Sequence, residues 1–293
     1  MLLRCTASRE GKLNTFLRRE LSMSSSLISR LKWQNALLVN GAPAHTDHPV
    51  HSGDELTVRL DEAVEGFEPE EMPLSILYED EALIALDKPA GLLTHPSPCR
   101  NDGTLANGLL AYYQKTGQHC GIHPVSRLDR DTFGVVLLAK NAYVHEKFRQ
   151  LHQSGGIRKT YRACVYGAPA ADCGVIDLPV FKLGDGSLLR TVDVRGQQAV
   201  TEFSVLSRWA HTSLLALHPI TGRTHQLRLH GLASGWPILG DPQYATDDSR
   251  AYSALCGIAP QQLCAAELTF THPLTAEAVR IASHQSVTCP EAE

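Results

Sequence analysis

One stretch constrains this chain more than any other. It is Ser126-Arg127-Leu128-Asp129-Arg130-Asp131-Thr132-Phe133-Gly134, running straight into Val135-Val136-Leu137-Leu138-Ala139-Lys140. A dense charged run meets a turn glycine, and the apolar, β-branched-rich run after it reads as a buried strand. Charge placed beside a core strand is costly unless it is paired. Asp129 therefore calls for a cationic partner supplied from elsewhere. Taken alone, the stretch also fits a surface charge pair flanking a strand; its companions along the chain must decide.

The chain has 293 residues with an apolar share of 43%, enough for a sizeable core in one large domain and a small one. No apolar run approaches the roughly 18 residues that span a membrane. Met1-Leu2-Leu3-Arg4-Cys5 is charged too early for a secretory signal. The eight cysteines form no Cys-x-x-Cys pair, so neither a zinc ribbon nor another metal site is expected, and reduced thiols in the cytoplasm fit best. There is no Gly-x-Gly-x-x-Gly, Walker loop or Gly-x-Ser-x-Gly, which removes support for nucleotide cofactors and serine hydrolysis.

The net charge of −4 gives no global basic signature, but it conceals segregation. Residues 1–60 form a basic head. Leu13, Phe16, Leu17 and Leu21, then Leu27, Ile28 and Leu31, recur at helical spacing, with Ser24-Ser25-Ser26 as cap candidates. Arg9, Lys12, Arg18, Arg19, Arg30 and Lys32 lie near these helices, and small strands follow at Leu37-Leu38-Val39, before the Asn40-Gly41 turn, and at Leu56–Leu60. Residues 61–73 hold Asp61, Glu62, Glu65, Glu68, Glu70 and Glu71 and end in prolines; they read as an acidic, flexible or extended linker.

Residues 74–293 make the large domain. Leu83–Asp87 is an apolar strand cut off by Lys88-Pro89-Ala90-Gly91; Thr104–Tyr113 and Tyr143–Leu151 read as helices. Lys159–Gly167 alternates as a strand with Tyr161, Ala163 and Val165 on one face. Gly184-Asp185-Gly186 signals a hairpin; strands follow at Ala199–Leu206, Ser213–Leu217, Leu263–His272 and Ala278–Ala282. Many strands without βαβ alternation argue an α+β domain with a mixed, largely antiparallel sheet. Arg223, on the Thr221-Gly222 turn, is the expected partner of Asp129, because a guanidinium can hold a carboxylate bidentately.

Several motifs then align in one order: Lys88-Pro89-x-Gly91, Arg127-Leu128-Asp129-x-x-Thr132-x-Gly134, Lys159-x-Tyr161-x-Ala163-x-Val165-x-Gly167, Gly222-Arg223-Thr224-His225-Gln226-Leu227-Arg228-x-His230, Gly240-Asp241 and Phe270-x-His272-Pro273. Together they resemble the RluA family of pseudouridine synthases over residues 74–275. Residues 8–60 resemble an S-four-like RNA-binding domain through Leu13-Asn14-x-Phe16-Leu17, Val39-Asn40-Gly41 and Gly53-Asp54-x-Leu56, although an arginine often found near Ser25 is missing. The resemblance implies isomerisation of uridine to pseudouridine in structured RNA without a cofactor. Ribosomal RNA is favoured as partner and transfer RNA remains open; a monomer is expected, with no membrane contact. It makes Asp129 the catalytic carboxylate, Arg223 its salt-bridge partner, Tyr161 the ring against uracil and Leu227 an apolar wall. Arg127 would hold the target base out of its helix. In the basic head, Arg9, Lys12, Arg18, Arg19, Arg30 and Lys32 would face phosphates.

Elementary chemistry agrees: a carboxylate can serve as nucleophile or base at a glycosidic bond, an aromatic face stacks on any base, and a base within a helix must be turned out to react. The chain departs from the family with Ser126 in place of a usual His and Phe133 in place of a usual Ser. A non-catalytic RNA-binding or ribosome-assembly factor on the same scaffold is the competing reading. A glycosidase built on Asp129 and Asp131 has nothing else in its favour.

Overall fold

In the computed structural model, which describes residues 1–64, 66–97, 100–184 and 189–290, two main sheets organise the described residues, beside two-stranded ribbons that pair Gly11–Lys12 with Pro49–Val50 and Val180–Lys182 with Arg190–Val192. The smaller is a four-stranded antiparallel sheet in the order Leu2–Thr6, Glu55–Arg59, Leu37–Val39, Ala42–Pro43. Helices Leu13–Arg19 and Ser25–Trp33 close its apolar face, burying Leu13, Phe16, Leu17, Leu27, Ile28 and Leu31. Ser24 caps the second helix, its Oγ accepting from the Leu27 amide at 3.2 Å. Asn40 and Gly41 both take positive φ (49° and 79°), as a two-residue hairpin turn between small strands requires.

The larger sheet has ten strands. Its main path runs Cys173–Asp177, Val200–Arg208, Thr212–Pro219, Ile157–Tyr166, Leu263–Thr271, Phe133–Ala139, Leu83–Lys88, Ile76–Glu79. Ala278–Ala282 joins Leu263–Thr271 from the side, and His123–Pro124 joins Phe133–Ala139. Among the described strands of this sheet one pairing is parallel: Phe133–Ala139 meets Leu263–Thr271 at Phe133/Cys264 and Gly134/Ala265. Gly134 makes that approach possible. Its φ is +104°, and a Cβ there would lie 2.4 Å from the Ala265 carbonyl oxygen. The architecture is the expected α+β fold with a mixed, mostly antiparallel sheet.

Strand Phe133–Ala139 is buried along its whole length and carries opposite faces into two cores. Val135, Leu137 and Ala139 join a core that is continuous with the N-terminal module, reaching Leu17, Leu31 and Val58. Val136 and Leu138 pack with Leu105, Leu109 and Tyr113 of helix Leu105–Lys115. Thr104 opens that helix with a capping box to Asn107, and Asn141 caps helix Ala142–Gln153 through Val144.

Among the described residues, 61–73 contain no helix or strand, but the stretch is fastened through Asp61, Glu62 and Glu70. Asp61 holds the Met1 amino group at 2.8 Å. Glu62 accepts from Arg30, from the Ala142 amide at 2.9 Å, and sits against His123 Nε2. Glu70 accepts from the Gly103 amide at 2.7 Å, while Val64 and Phe67 pack on the core beneath. Of the linker acids, Glu65 lies outside the described residues, as do Asp185 and Gly186 of the expected hairpin turn.

At the other end of the chain, residues 283–288 run under the large sheet. Ser283 Oγ, the His284 amide and Gln285 Nε2 all donate to the nearly buried Asp87 carboxylate, at 2.7 to 2.8 Å. Gln285 also reaches the Lys88 carbonyl, so this tail fastens the strand end from which the Lys88-Pro89 loop departs.

Candidate active site

Asp129 stands on the loop that feeds strand Phe133–Ala139. Leu128 is pulled into the core beneath it, and the Thr132 amide donates back to the Asp129 carbonyl at 3.2 Å, closing a turn. Thr132 Oγ1 accepts from buried Gln261 at 2.6 Å. Lys88, with none of its surface exposed, donates its ammonium to the carbonyls of Pro89, Leu92 and Arg130 at 2.7 to 3.0 Å. It thus ties the loop after Leu83–Lys88 to the loop carrying Asp129. Burial lowers the Lys88 ammonium to about 8, while the charges of Asp131 and Asp129 pull the other way.

The cation on Asp129 is Arg228, not Arg223. Arg228 Nη1 lies 3.2 Å from Asp129 Oδ2. The same guanidinium grips buried Asp241 with two bonds, Nε to Oδ2 at 2.7 Å and Nη2 to Oδ1 at 2.8 Å. It also reaches Gln243 Oε1 and lies 4.9 Å from the Tyr244 ring centroid. Arg223 is exposed and donates Nε to the Gln198 carbonyl at 3.0 Å. The reason is helical phase. Arg223 stays on the open turn, whereas Arg228 occupies the buried interior of helix Gln226–Ala233 between Leu227 and Leu229. A buried arginine needs more than one acid, and Gly240-Asp241, a motif already visible in the chain, supplies the second. Burial pushes the Asp241 carboxyl up, but Arg228 and the Tyr244 and Gln243 amides outweigh it and hold it below the ordinary range.

Gln226 locks the turn before this helix. Its Oε1 accepts from the Arg223 amide and Thr221 Oγ1, and its Nε2 donates to the Val200 carbonyl and Thr201. His230, one turn on, is also fixed to Thr201, at 2.9 Å. Gln226, Arg228 and His230 are the residues that the sequence reading left without roles.

Asp129 keeps a side-chain exposure of 30%. Among the described residues, Oδ2 receives the Arg228 bond and Oδ1 receives none. Tyr161 is half-buried beside it; burial first, and the Asp129 charge second, push its hydroxyl well above the ordinary phenol range. Tyr161 packs against the cluster containing buried Leu227. The structure therefore brings Asp129, Tyr161 and Leu227 to one region. Arg127 is exposed on the loop beside Asp129, and Asp131 turns away to pair with Arg130 at 3.0 Å. Ser126 lines a small hollow with Lys159 and Tyr161, and Phe133 is buried in its strand.

A larger cavity of about 600 Å³ lies elsewhere, between residues 66–70 and 100–107. Glu68, Glu70 and Asp102 line it together with Arg100, and Asp129 is not part of it. Among the described residues no group of three or more His, Cys, Asp or Glu side chains is placed to hold a metal.

Comparison with known proteins meets this geometry. A family model described as RNA pseudouridylate synthase matches residues 82–233, from the strand before Lys88 through the end of helix Gln226–Ala233. An uncharacterized RNA pseudouridine synthase of Bacillus subtilis (strain 168) is 35% identical over 264 residues, covering 89% of this chain and 91% of its own. The ribosomal large subunit pseudouridine synthase D of Neisseria meningitidis (serogroup A, serotype 4A, strain DSM 15465 / Z2491) is 33% identical over 278 residues, covering 92% and 74%. The structure of human RNA pseudouridylate synthase domain containing 1 superposes with a TM-score of 0.60 at 23% identity over 75% of this chain and 86% of that one, a likeness of fold. The chain belongs to the RluA family of RNA pseudouridine synthases. It is an enzyme that isomerises uridine within RNA.

Proposed function

We propose that this chain makes pseudouridine at defined uridines of ribosomal RNA, with Asp129 as the reacting carboxylate. The observation that carries the assignment is the asymmetry of that carboxylate: Oδ2 is anchored by Arg228, Oδ1 takes no hydrogen bond among the described residues, and Tyr161 lies near enough to feel the Asp129 charge. The reaction breaks the bond from ribose C1′ to uracil N1 and makes one from C1′ to C5; the C5 proton leaves and N1 gains one, so mass is conserved. Oδ1 is the atom placed to act at the sugar or the base. Tyr161 offers a ring face to uracil and Leu227 closes the pocket against water. Arg127, exposed beside the site, occupies the space a flipped nucleotide vacates.

Ribosomal RNA is favoured by relatives named for the ribosomal large subunit and by the basic head. In that head, an S-four-like module on our reading, Arg9 is paired with Glu20 and Arg30 with Glu62. Lys12, Arg18 and Arg19 show no ion pair among the described residues, and Lys32 lies 5.8 Å from the Trp33 ring centroid. Those four are the phosphate contacts we assign. The protein acts as a monomer in the cytoplasm on this reading, and no helix among the described residues is long and apolar enough to cross a membrane.

Pseudouridine mapping of total RNA from cells with and without the gene tests the substrate. Loss of signal at a ribosomal position is expected; loss confined to transfer RNA would replace the substrate assignment, and an unchanged map would point to a binding role instead. Purified Asp129→Asn should bind the identified RNA with unchanged affinity and yield no product. Product from this variant would overturn the assignment of Asp129.

A further inference from the structure

His225 sits in the left-handed region, at φ +60° and ψ 15°, immediately before helix Gln226–Ala233. A non-glycine residue holds such a conformation only where its surroundings insist. The insistence here comes from Gln226, whose four bonds fix the turn on either side. The result is that the imidazole, with 12% of its side chain exposed, points back into the site. Its Nε2 lies 4.0 Å from Asp129 Oδ2, the oxygen that Arg228 already holds. Its Nδ1 lies 2.9 Å from the Tyr244 hydroxyl.

The proton on that ring can be placed. Tyr244 is 3% exposed, and its oxygen accepts from the Arg190 backbone amide at 2.8 Å. Its own proton then needs an acceptor, and among the described residues His225 Nδ1 is the one within reach. Burial, with Arg228 and Arg190 adding to it, holds the imidazole below its ordinary range despite Asp129 and Asp241, which favours the neutral ring. A neutral ring that accepts at Nδ1 carries its hydrogen on Nε2.

We propose that His225 is a positioning residue for Asp129: its Nε2–H, set by the chain Arg190 N–H to Tyr244 O–H to His225 Nδ1, closes on Oδ2 when RNA enters and leaves Oδ1 as the oxygen that reacts. This rests on the reading of Asp129 as the reacting carboxylate. The gap of 4.0 Å is of the kind that tightens when substrate fills an empty site.

Two substitutions separate this role from a structural one. Asparagine suits the left-handed region and places an amide where Nδ1 stands, but cannot reach Asp129. Glutamine suits that backbone less well and places a donor where Nε2 stands. His225→Gln should keep kcat within about threefold of wild type, and His225→Asn should lose roughly 10- to 100-fold, the rate equivalent of one hydrogen bond to a charged group. KM for RNA should be unchanged in both. Equal kcat in the two variants, or the reverse order, would overturn the proposal and leave His225 as a turn residue. Nitrogen-15 spectra of the imidazole give an independent reading: wild type should show Nε2–H alone, and Tyr244→Phe a mixture of tautomers. A wild-type Nδ1–H signal would also overturn it. An active Asp129→Asn would instead sink the reading beneath, so the two failures are distinguishable.

Discussion

At the scale of single residues, Arg228 carries the most weight. Its bidentate hold on Asp241, whose side chain has no exposed surface, means that Arg228→Ala strands a buried charge. We expect a loss of about 3–5 kcal/mol in urea unfolding, with activity abolished. Arg223→Ala should leave stability within about 0.5 kcal/mol, because its guanidinium is exposed. Lys88 makes a second prediction. Raising the pH through about 8 removes a proton from its ammonium, and the neutral amine has two N–H bonds for three carbonyls. kcat should fall across that interval. The folded-state value lies below the ordinary 10.5, so between the two the unfolded chain binds the extra proton, and Lys88's contribution to stability rises with pH. Activity and urea midpoint should therefore move in opposite directions from pH 7 to 9. The sequence made Asp129, Tyr161 and Leu227 legible because each belongs to an ordered motif beside an apolar run. It hid the partner of Asp129, because choosing between Arg223 and Arg228 needs the phase of a helix 99 residues away.

At the scale of elements, patterned segments were readable and irregular ones were not. Leu83–Lys88, Ile157–Tyr166, Ala278–Ala282 and the helices at 105–115 and 142–153 follow their apolar periods and caps. Strand Leu2–Thr6 was missed because its inward residues are only half-buried and its outward ones polar or charged apart from Leu2. Helix Asp247–Leu255 was missed because it buries two serines instead of an apolar stripe. The linker misled most: six acids look like a solvated tether, yet Glu62 is 10% exposed and binds three groups from three segments. Burial raises the Glu62 carboxyl, but His123 and the Ala142 amide bring it below its ordinary value. A depressed carboxyl contributes stability above the unfolded value and loses it as pH falls through the folded one. Amide protection factors in residues 1–60, which take out the intrinsic pH dependence of exchange, should therefore fall on acidification toward pH 4, and Glu62→Gln should show that lower protection already at pH 7.

At the scale of the whole molecule, a net charge of −4 coexists with an RNA substrate because charge is segregated: residues 1–60 carry eight Lys and Arg against five Asp and Glu, and the acids of residues 61–73 offset them. Replacing Lys12, Arg18, Arg19 and Lys32 together with glutamine should weaken RNA binding at low salt. It should also flatten the plot of log affinity against log salt by roughly 0.7–0.9 per lost phosphate contact. A slope equal to wild type would place the RNA elsewhere. The core of the head is shared with the large sheet, so these exposed changes are preferable to deletion, which would uncover Tyr143 and Val144.

The tail under Asp87 sets an order of events during synthesis. Ser283 is made 196 residues after Asp87, so the Lys88 loop cannot be fastened from below until translation has run far past it. Throughout that time the strand end at Asp87 and Lys88 lacks the bonds that Ser283, His284 and Gln285 supply. The Lys88 loop therefore gains this support only after the last strand of the large sheet, Ala278–Ala282, has been made.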